Sequence, residues 1–179
     1  MHRSLVNTPH RFLIFRHGIA THSKTGYGDQ IMTAGLLPEA YPVIERIAKH
    51  LAPIRSQLNF SSEVLRCRQT AEIVTKHAGK FFRFDSRLNE YHLETFEQLT
   101  ARVRSILEDL ITDADYLAEE KALPNGSATL MLCTHGAVIA ALKHLLLENE
   151  FLPKDELDYT MPGQLLEVFG KTSTVIDFN

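Results

Sequence analysis

Apolar residues along this chain fall into two kinds of run. Phe12-Leu13-Ile14-Phe15 and Ala128-Thr129-Leu130-Met131-Leu132-Cys133 are nearly unbroken, the pattern of strands buried on both faces of a parallel sheet. Each stops abruptly at a polar triplet, Arg16-His17-Gly18 and Thr134-His135-Gly136. Gln57–Ser62 and Phe81–Asp85 predict two further short strands. Gln164–Phe169 and Thr174–Phe178, around Gly170-Lys171-Thr172, predict a closing hairpin or edge strands. Between them the spacing turns helical. A helix is expected to open at Met32–Leu37 with Thr33 as N-cap, burying Leu36, Leu37, Ala40, Val43, Ile44, Ile47 and Leu51. Pro38 and Pro42 suggest an early start or a kink there, and Pro53 ends it. A second helix runs from Arg66 through Val74 to a stop at Gly79. A third begins near Thr95, where Thr95 and Gln98 have capping-box spacing, and buries Phe96, Leu99, Val103, Ile106, Leu107 and Leu110. The acidic stretch Asp113–Lys121 extends it, Pro124-Asn125-Gly126 is a turn, and a last helix reaches about Leu147. Alternating strands and helices predict an α/β fold, a three-layer α/β/α sandwich with a mostly parallel central sheet.

Length and composition narrow the picture. With 179 residues, 44% of them hydrophobic and 23% charged, the chain is read as one ordered domain, residues 1–10 forming a loose N-terminal tail. A net charge of -3 offers no footprint for nucleic acid. Cys67 and Cys133 make neither a metal-ligand spacing nor a disulfide framework. Residues 1–10 lack the apolar core of a signal peptide, and the run Ala137–Leu147 is interrupted by Lys143 and His144. The expectation is a cytoplasmic protein that meets neither membrane nor nucleic acid.

Ligands of open α/β sheets bind beyond the carboxyl ends of the strands. That rim is where Arg16, His17, Arg66 and His135 should gather. Two guanidiniums and two imidazoles make a cationic pocket in a weakly anionic chain. Arginine's planar fork suits phosphate oxygens, so the natural guest is a phosphoryl group. A neutral imidazole can attack phosphorus, and neighbouring arginines disfavour its charged form, which suits His17 as nucleophile. Glu90, just past the third strand, is the carboxyl placed to protonate a leaving alkoxide, with Glu94 as alternative. His22 and His92 are candidates for the pocket mouth, and the remaining histidines have no expected site role. A metal centre from His17, His22 and His135 is disfavoured because the arginines repel a cation.

Arg16-His17-Gly18, Ser61-Ser62…Arg66…Gln69-Thr70-Ala71, Leu88-Asn89-Glu90 and Thr134-His135-Gly136 together resemble the histidine phosphatase superfamily, in its phosphoglycerate-mutase-like branch. Met32-Thr33-Ala34-Gly35 and Thr95-Phe96-Glu97…Arg102-Val103 resemble the family's helix openings. The resemblance implies a phosphohistidine on His17, phosphate contacts from Arg16, Arg66 and His135, Glu90 as proton donor, and neither metal nor other cofactor. The sequence departs from the pattern where family members carry Ser and Asn near phosphate. Ala20 and Ser23 stand there, and Ser23 is the candidate substitute as phosphate ligand. Only four residues separate Glu90 from Thr95, too few for the insertion that builds a sugar-acid pocket in mutases. The expected activity is therefore metal-independent phosphomonoester hydrolysis at an open site, on a small phosphorylated metabolite or a phosphoprotein. Alternatives are a protein-phosphohistidine phosphatase, a phosphoglycerate mutase-like phosphotransferase, and a phosphate-binding module without turnover. Neutral His17 and protonated Glu90 together predict a bell-shaped pH profile with a mildly acidic optimum.

Overall fold

A computed structural model describes residues 4–179. The strands are β1 (Arg11–Arg16), β2 (Leu58–Ser61), β3 (Arg83–Phe84), β4 (Thr129–Thr134), β5 (Gln164–Phe169) and β6 (Thr172–Asp177). The helices are α1 (Ala40–Leu51), α2 (Leu65–Ala78), α3 (Phe96–Glu120) and α4 (Gly136–Glu148). The strands form a six-stranded sheet in the order β3-β2-β4-β1-β5-β6. β1 through β4 run parallel to their neighbours in that group, while β5 lies antiparallel to β1 and to β6. Helices cover both faces, as the alternating pattern predicts.

Side-chain parity divides the buried runs between the faces. Phe12 and Ile14 of β1 join Leu130 and Leu132 of β4 in one core, closed by α3 and α4. Leu13 and Phe15 join Met131 and Cys133 in the other, closed by α1 and α2. Successive residues of a strand point to opposite faces. A strand covered on both sides must therefore be apolar at every position, which explains why these runs do not alternate. α3 begins with the expected capping box, Thr95 and Gln98 each accepting from the other's backbone N–H.

Three expectations need correction. α1 starts at Ala40, after Glu39, and Thr33 lies in a turn with its N–H on Gln30 O. The preceding segment is held by sheet-like bonds instead, Thr21 N–H to Gly35 O and Leu37 N–H to Ile19 O. Pro42 falls in the first helical turn, where a missing N–H costs nothing. β3 is only two residues long, an edge strand with exposed side chains and with Phe81 outside it. The amino-terminal stretch is not loose where described: Leu5 is in the core, and buried His10 bonds Asp115 and takes the Ala128 N–H. Residues 1–3 of that stretch lie outside the described residues. Among the described residues no helix is long and apolar enough to cross a membrane.

Candidate active site

The parallel strands all end at one edge of the sheet. β1 delivers Arg16 and His17 there, and β2 delivers Ser61 and Ser62, with Arg66 the second residue of α2. The turn after β3 brings Glu90, and β4 delivers His135 as the residue preceding α4. His17, Arg66 and His135 are completely buried.

Hydrogen bonds set the state of each ring. His17 Nδ1–H donates to Gly18 O at 2.7 Å, so Nε2 carries the lone pair. Arg66 Nε–H donates to that Nε2 at 3.1 Å. Burial, reinforced by His135, Arg66 and Arg16, holds the His17 pKa well below its ordinary 6.5. Across the site the Ser62 hydroxyl donates to Asn89 Oδ1 at 2.9 Å, an oxygen that also takes the Glu63 N–H. With its proton committed there, Ser62 Oγ accepts from His135 Nε2 at 2.8 Å. His135 Nδ1 lies 3.3 Å from Glu90 Oε2. Burial opposes charge on His135 but is outweighed by its neighbours Cys67 and Glu90, and its pKa is raised. Burial also pushes the Cys67 thiol well up, so it is neutral, and the partner that favours imidazolium is the Glu90 carboxylate. The two imidazoles, 5.2 Å apart between ring centres, are therefore shifted in opposite directions, His17 toward the neutral form and His135 toward the charged one.

Glu90 joins the cluster through Arg66 Nη2 at 3.1 Å and through His135. Its burial favours the neutral acid, yet these cations and the Tyr91 N–H prevail and lower its pKa to about 2. Without a bound guest, then, Glu90 is a carboxylate. Glu94 is engaged elsewhere: Arg102 grips it through Nε at 2.9 Å and also bonds Arg87 O and Glu90 O, fastening the turn that carries Glu90.

Arg16 borders a small cavity beside this cluster, shared with Glu90, Tyr91 and Tyr159. Its guanidinium lies 5.1 Å from the Tyr159 ring centre, and its buried Nε has no partner among the described residues. A buried donor left unpaired is costly, so an acceptor belongs at this place. Ser23 is not brought to the cluster. It is exposed, accepts the Ala20 N–H at 2.8 Å and meets Tyr27 Oη at 3.2 Å. Tyr27 in turn covers the Arg66 guanidinium, 4.0 Å from its ring centre. His22 and His92 are exposed.

Gly18 is small for a reason other than turning the chain. A Cβ there would stand 2.7 Å from Ala40 Cβ and from Ile44 Cδ1, so the glycine lets α1 close on the end of β1. The Gln69-Thr70 pair also has a physical task. Gln69 Oε1 takes the Leu36 N–H at 2.7 Å, and Thr70 Oγ1 takes the Gly18 N–H at 3.1 Å. Tyr27, Ser62, Asn89 and Tyr159 escape sequence reasoning as site residues, since their contacts join segments far apart in the chain.

Ligand atoms of His17, Glu90 and His135 lie within 4.8 Å of one another and are, among the described residues, the set that could hold a metal ion. The third member is Glu90, not the exposed His22. Arg66 donates to both His17 and Glu90, so a fixed positive charge already occupies the centre of that set.

The family model of the histidine phosphatase superfamily (branch 1) matches residues 12–127. No curated protein matches the chain in sequence. Among solved structures, a mycobacterial glucosyl-3-phosphoglycerate phosphatase in complex with inorganic phosphate superposes with a TM-score of 0.72 at 19% identity, over 95% of this chain and 97% of that one. A phosphoglycerate mutase from Bacillus anthracis gives 0.68 at 13% identity, over 98% and 95%. The protein histidine phosphatase SixA with tungstate gives 0.56 at 17%, over 93% and 94%. These likenesses establish the fold, and with the family match extending over most of the sequence, the chain belongs to the phosphoglycerate-mutase-like branch 1 of the histidine phosphatase superfamily.

Proposed function

We propose that this chain is a metal-independent phosphatase that hydrolyses phosphomonoesters through a phosphohistidine on His17. The observation that carries the reading is the unprotonated His17 Nε2, set by the Nδ1–H bond to Gly18 O and aligned by the Arg66 Nε–H that donates to it. Nε2 attacks phosphorus, the N–P bond forms, and the ester P–O bond breaks. Arg16, Arg66 and imidazolium His135 neutralise the transferring group, a task otherwise given to a metal. Glu90 hands its proton to the leaving oxygen. A water then attacks phosphorus, giving its proton to Glu90 as the N–P bond breaks, and phosphate departs.

Glu90 must be protonated for the first step, although it is ionised in the free site. A bound phosphate competes for Arg66 and His135 and adds negative charge beside the carboxylate, and both effects raise its pKa. The substrate monoanion, whose second ionisation lies near 6, can itself bring the proton. The neighbouring cavity is only about 160 Å3, which favours a small phosphorylated metabolite. The two buried free thiols fit a reducing, cytoplasmic setting.

Rapid quench with a phosphate-labelled substrate tests the reading. Acid-labile label should appear on His17 and vanish in His17→Ala together with turnover. Label on His135, or turnover surviving in His17→Ala, would overturn it.

A further inference from the structure

Beside the imidazole cluster the cavity continues between Tyr91, Glu156, Leu157 and Tyr159, with Arg16 and Glu90 joining it to the reacting groups. Glu156 stands out among the acids of its segment. Asp155 caps the Leu152 N–H at 3.1 Å, and Asp158 takes both Lys143 and His144 at 2.8 Å. The side chain of half-buried Glu156 has no hydrogen-bond or ion-pair partner among the described residues, its backbone N–H alone being engaged, on Pro153 O. Glu156, Tyr91 and Tyr159 line the same cavity as Arg16, whose buried Nε has no partner among the described residues, and together they make a two-ended site. One end suits an anion and the other a cation.

Building on the phosphatase reading, we propose that this cavity is the leaving-group subsite and that it selects phosphomonoesters of small cationic alcohols, the aminoalkyl phosphates. Tyrosine rings attract ammonium and quaternary ammonium groups; the Tyr159 ring already meets the Arg16 guanidinium, so Tyr91 is the ring that receives the cation, and Glu156 supplies the opposite charge. Apart from Arg16 the cavity wall carries no cation, so a leaving group bearing its own carboxylate meets repulsion from Glu156. Size points the same way. Pockets for drug-sized ligands run to about 300–1,000 Å3, whereas about 160 Å3 holds a chain of a few atoms and its head group.

The test compares substrates of like size and different charge. For wild type, Glu156→Gln and Glu156→Lys, kcat/KM is measured on phosphoethanolamine, 2-hydroxyethyl phosphate and phosphoglycolate. One partly screened charge at contact distance corresponds to about tenfold, so wild type should favour phosphoethanolamine over phosphoglycolate by at least about that factor. Glu156→Gln should level the ratio, and Glu156→Lys should invert it. A wild-type ratio near one, or one that Glu156→Lys leaves in place, would overturn the subsite. Turnover of p-nitrophenyl phosphate by the wild type reports separately on the phosphatase reading. If that fails, calorimetric binding of phosphoethanolamine and phosphoglycolate to the wild type and Glu156→Lys still decides the charge preference by the same ratios.

Discussion

Which nitrogen of His17 is free depends on one bond, from Nδ1–H to Gly18 O. His135 is locked in the opposite sense, its Nε2–H directed at a Ser62 hydroxyl whose own proton is given to Asn89. The two rings titrate accordingly, His17 well below 6.5 and His135 above it. Since kcat/KM reports groups of the free enzyme, its acid limb should come from His17 and its alkaline limb from His135. The alkaline limb expected from a protonated Glu90 does not fit the free site, where the carboxyl pKa is lowered to about 2. Ser62→Ala removes an acceptor worth about 0.5–1.5 kcal/mol. It should move the alkaline limb down by about half to one pH unit and leave the acid limb in place. A shift of both limbs together would mean that Ser62 acts only on the packing. Glu90 is tested by leaving group. Glu90→Gln should lose about 10²–10⁴-fold on an alkyl phosphate and much less on p-nitrophenyl phosphate, whose leaving group hardly needs a proton. Equal losses would refute its role as acid.

At the scale of elements, α2 organises the rim. Within two turns it aligns His17 through Arg66, sets Cys67 3.4 Å from His135 Nε2, and ties down the Leu36 and Gly18 amides through Gln69 and Thr70. α1 then packs flat against the end of β1 because residue 18 has no side chain. Gly18→Ala places a methyl 2.7 Å from two α1 carbons, one of them the Cβ of Ala40, which no rotamer change can move. Overpacking of this kind costs about 1–3 kcal/mol, so its urea midpoint should fall and turnover should suffer as His17 shifts. Wild-type stability would show that α1 yields freely. The strands and their His-Gly ends were legible in the sequence because a doubly covered strand is apolar throughout and its polar stop marks the rim. The start of α1 was not. Thr33 has the chemistry of a cap, but Gln69 Oε1, the Ile19 carbonyl and the Thr21 N–H hold residues 35–37 in a non-helical course from outside the segment. Glu94 stands beside Glu90 as a candidate acid in the sequence because nothing local reveals that Arg102, eight residues on, takes it. Ser62 and Asn89 lay inside recognisable motifs, yet their joint hold on His135 appears only when β2, the turn after β3 and β4 come together.

For the whole molecule, the site is a source of acid instability. Each of its three titrating groups has its own window. Glu90, lowered from 4.5 to about 2, contributes stability that is complete above 4.5 and is lost as pH falls toward 2. His135, raised above 6.5, contributes stability that is complete below 6.5 and is lost as pH rises through its folded value. His17, lowered below 6.5, imposes no penalty at higher pH, where both folded and unfolded chains carry it neutral. Below 6.5 the unfolded chain binds a proton there that the folded chain refuses, so stability declines. Between pH 6.5 and 4.5, therefore, His17 is the one of the three whose contribution changes. One proton of difference corresponds to at most about 1.4 kcal/mol per pH unit. Folding free energy from urea titrations should fall between pH 6.5 and 4.5 in the wild type and fall less steeply in His17→Gln, which keeps an acceptor for Arg66 but cannot take up a proton. Histidines such as His10 and His144 stand in both proteins and cancel from the comparison. Parallel curves would show that His17 is protonated as easily in the folded chain as in the unfolded one, and that its lone pair is not held free by the site.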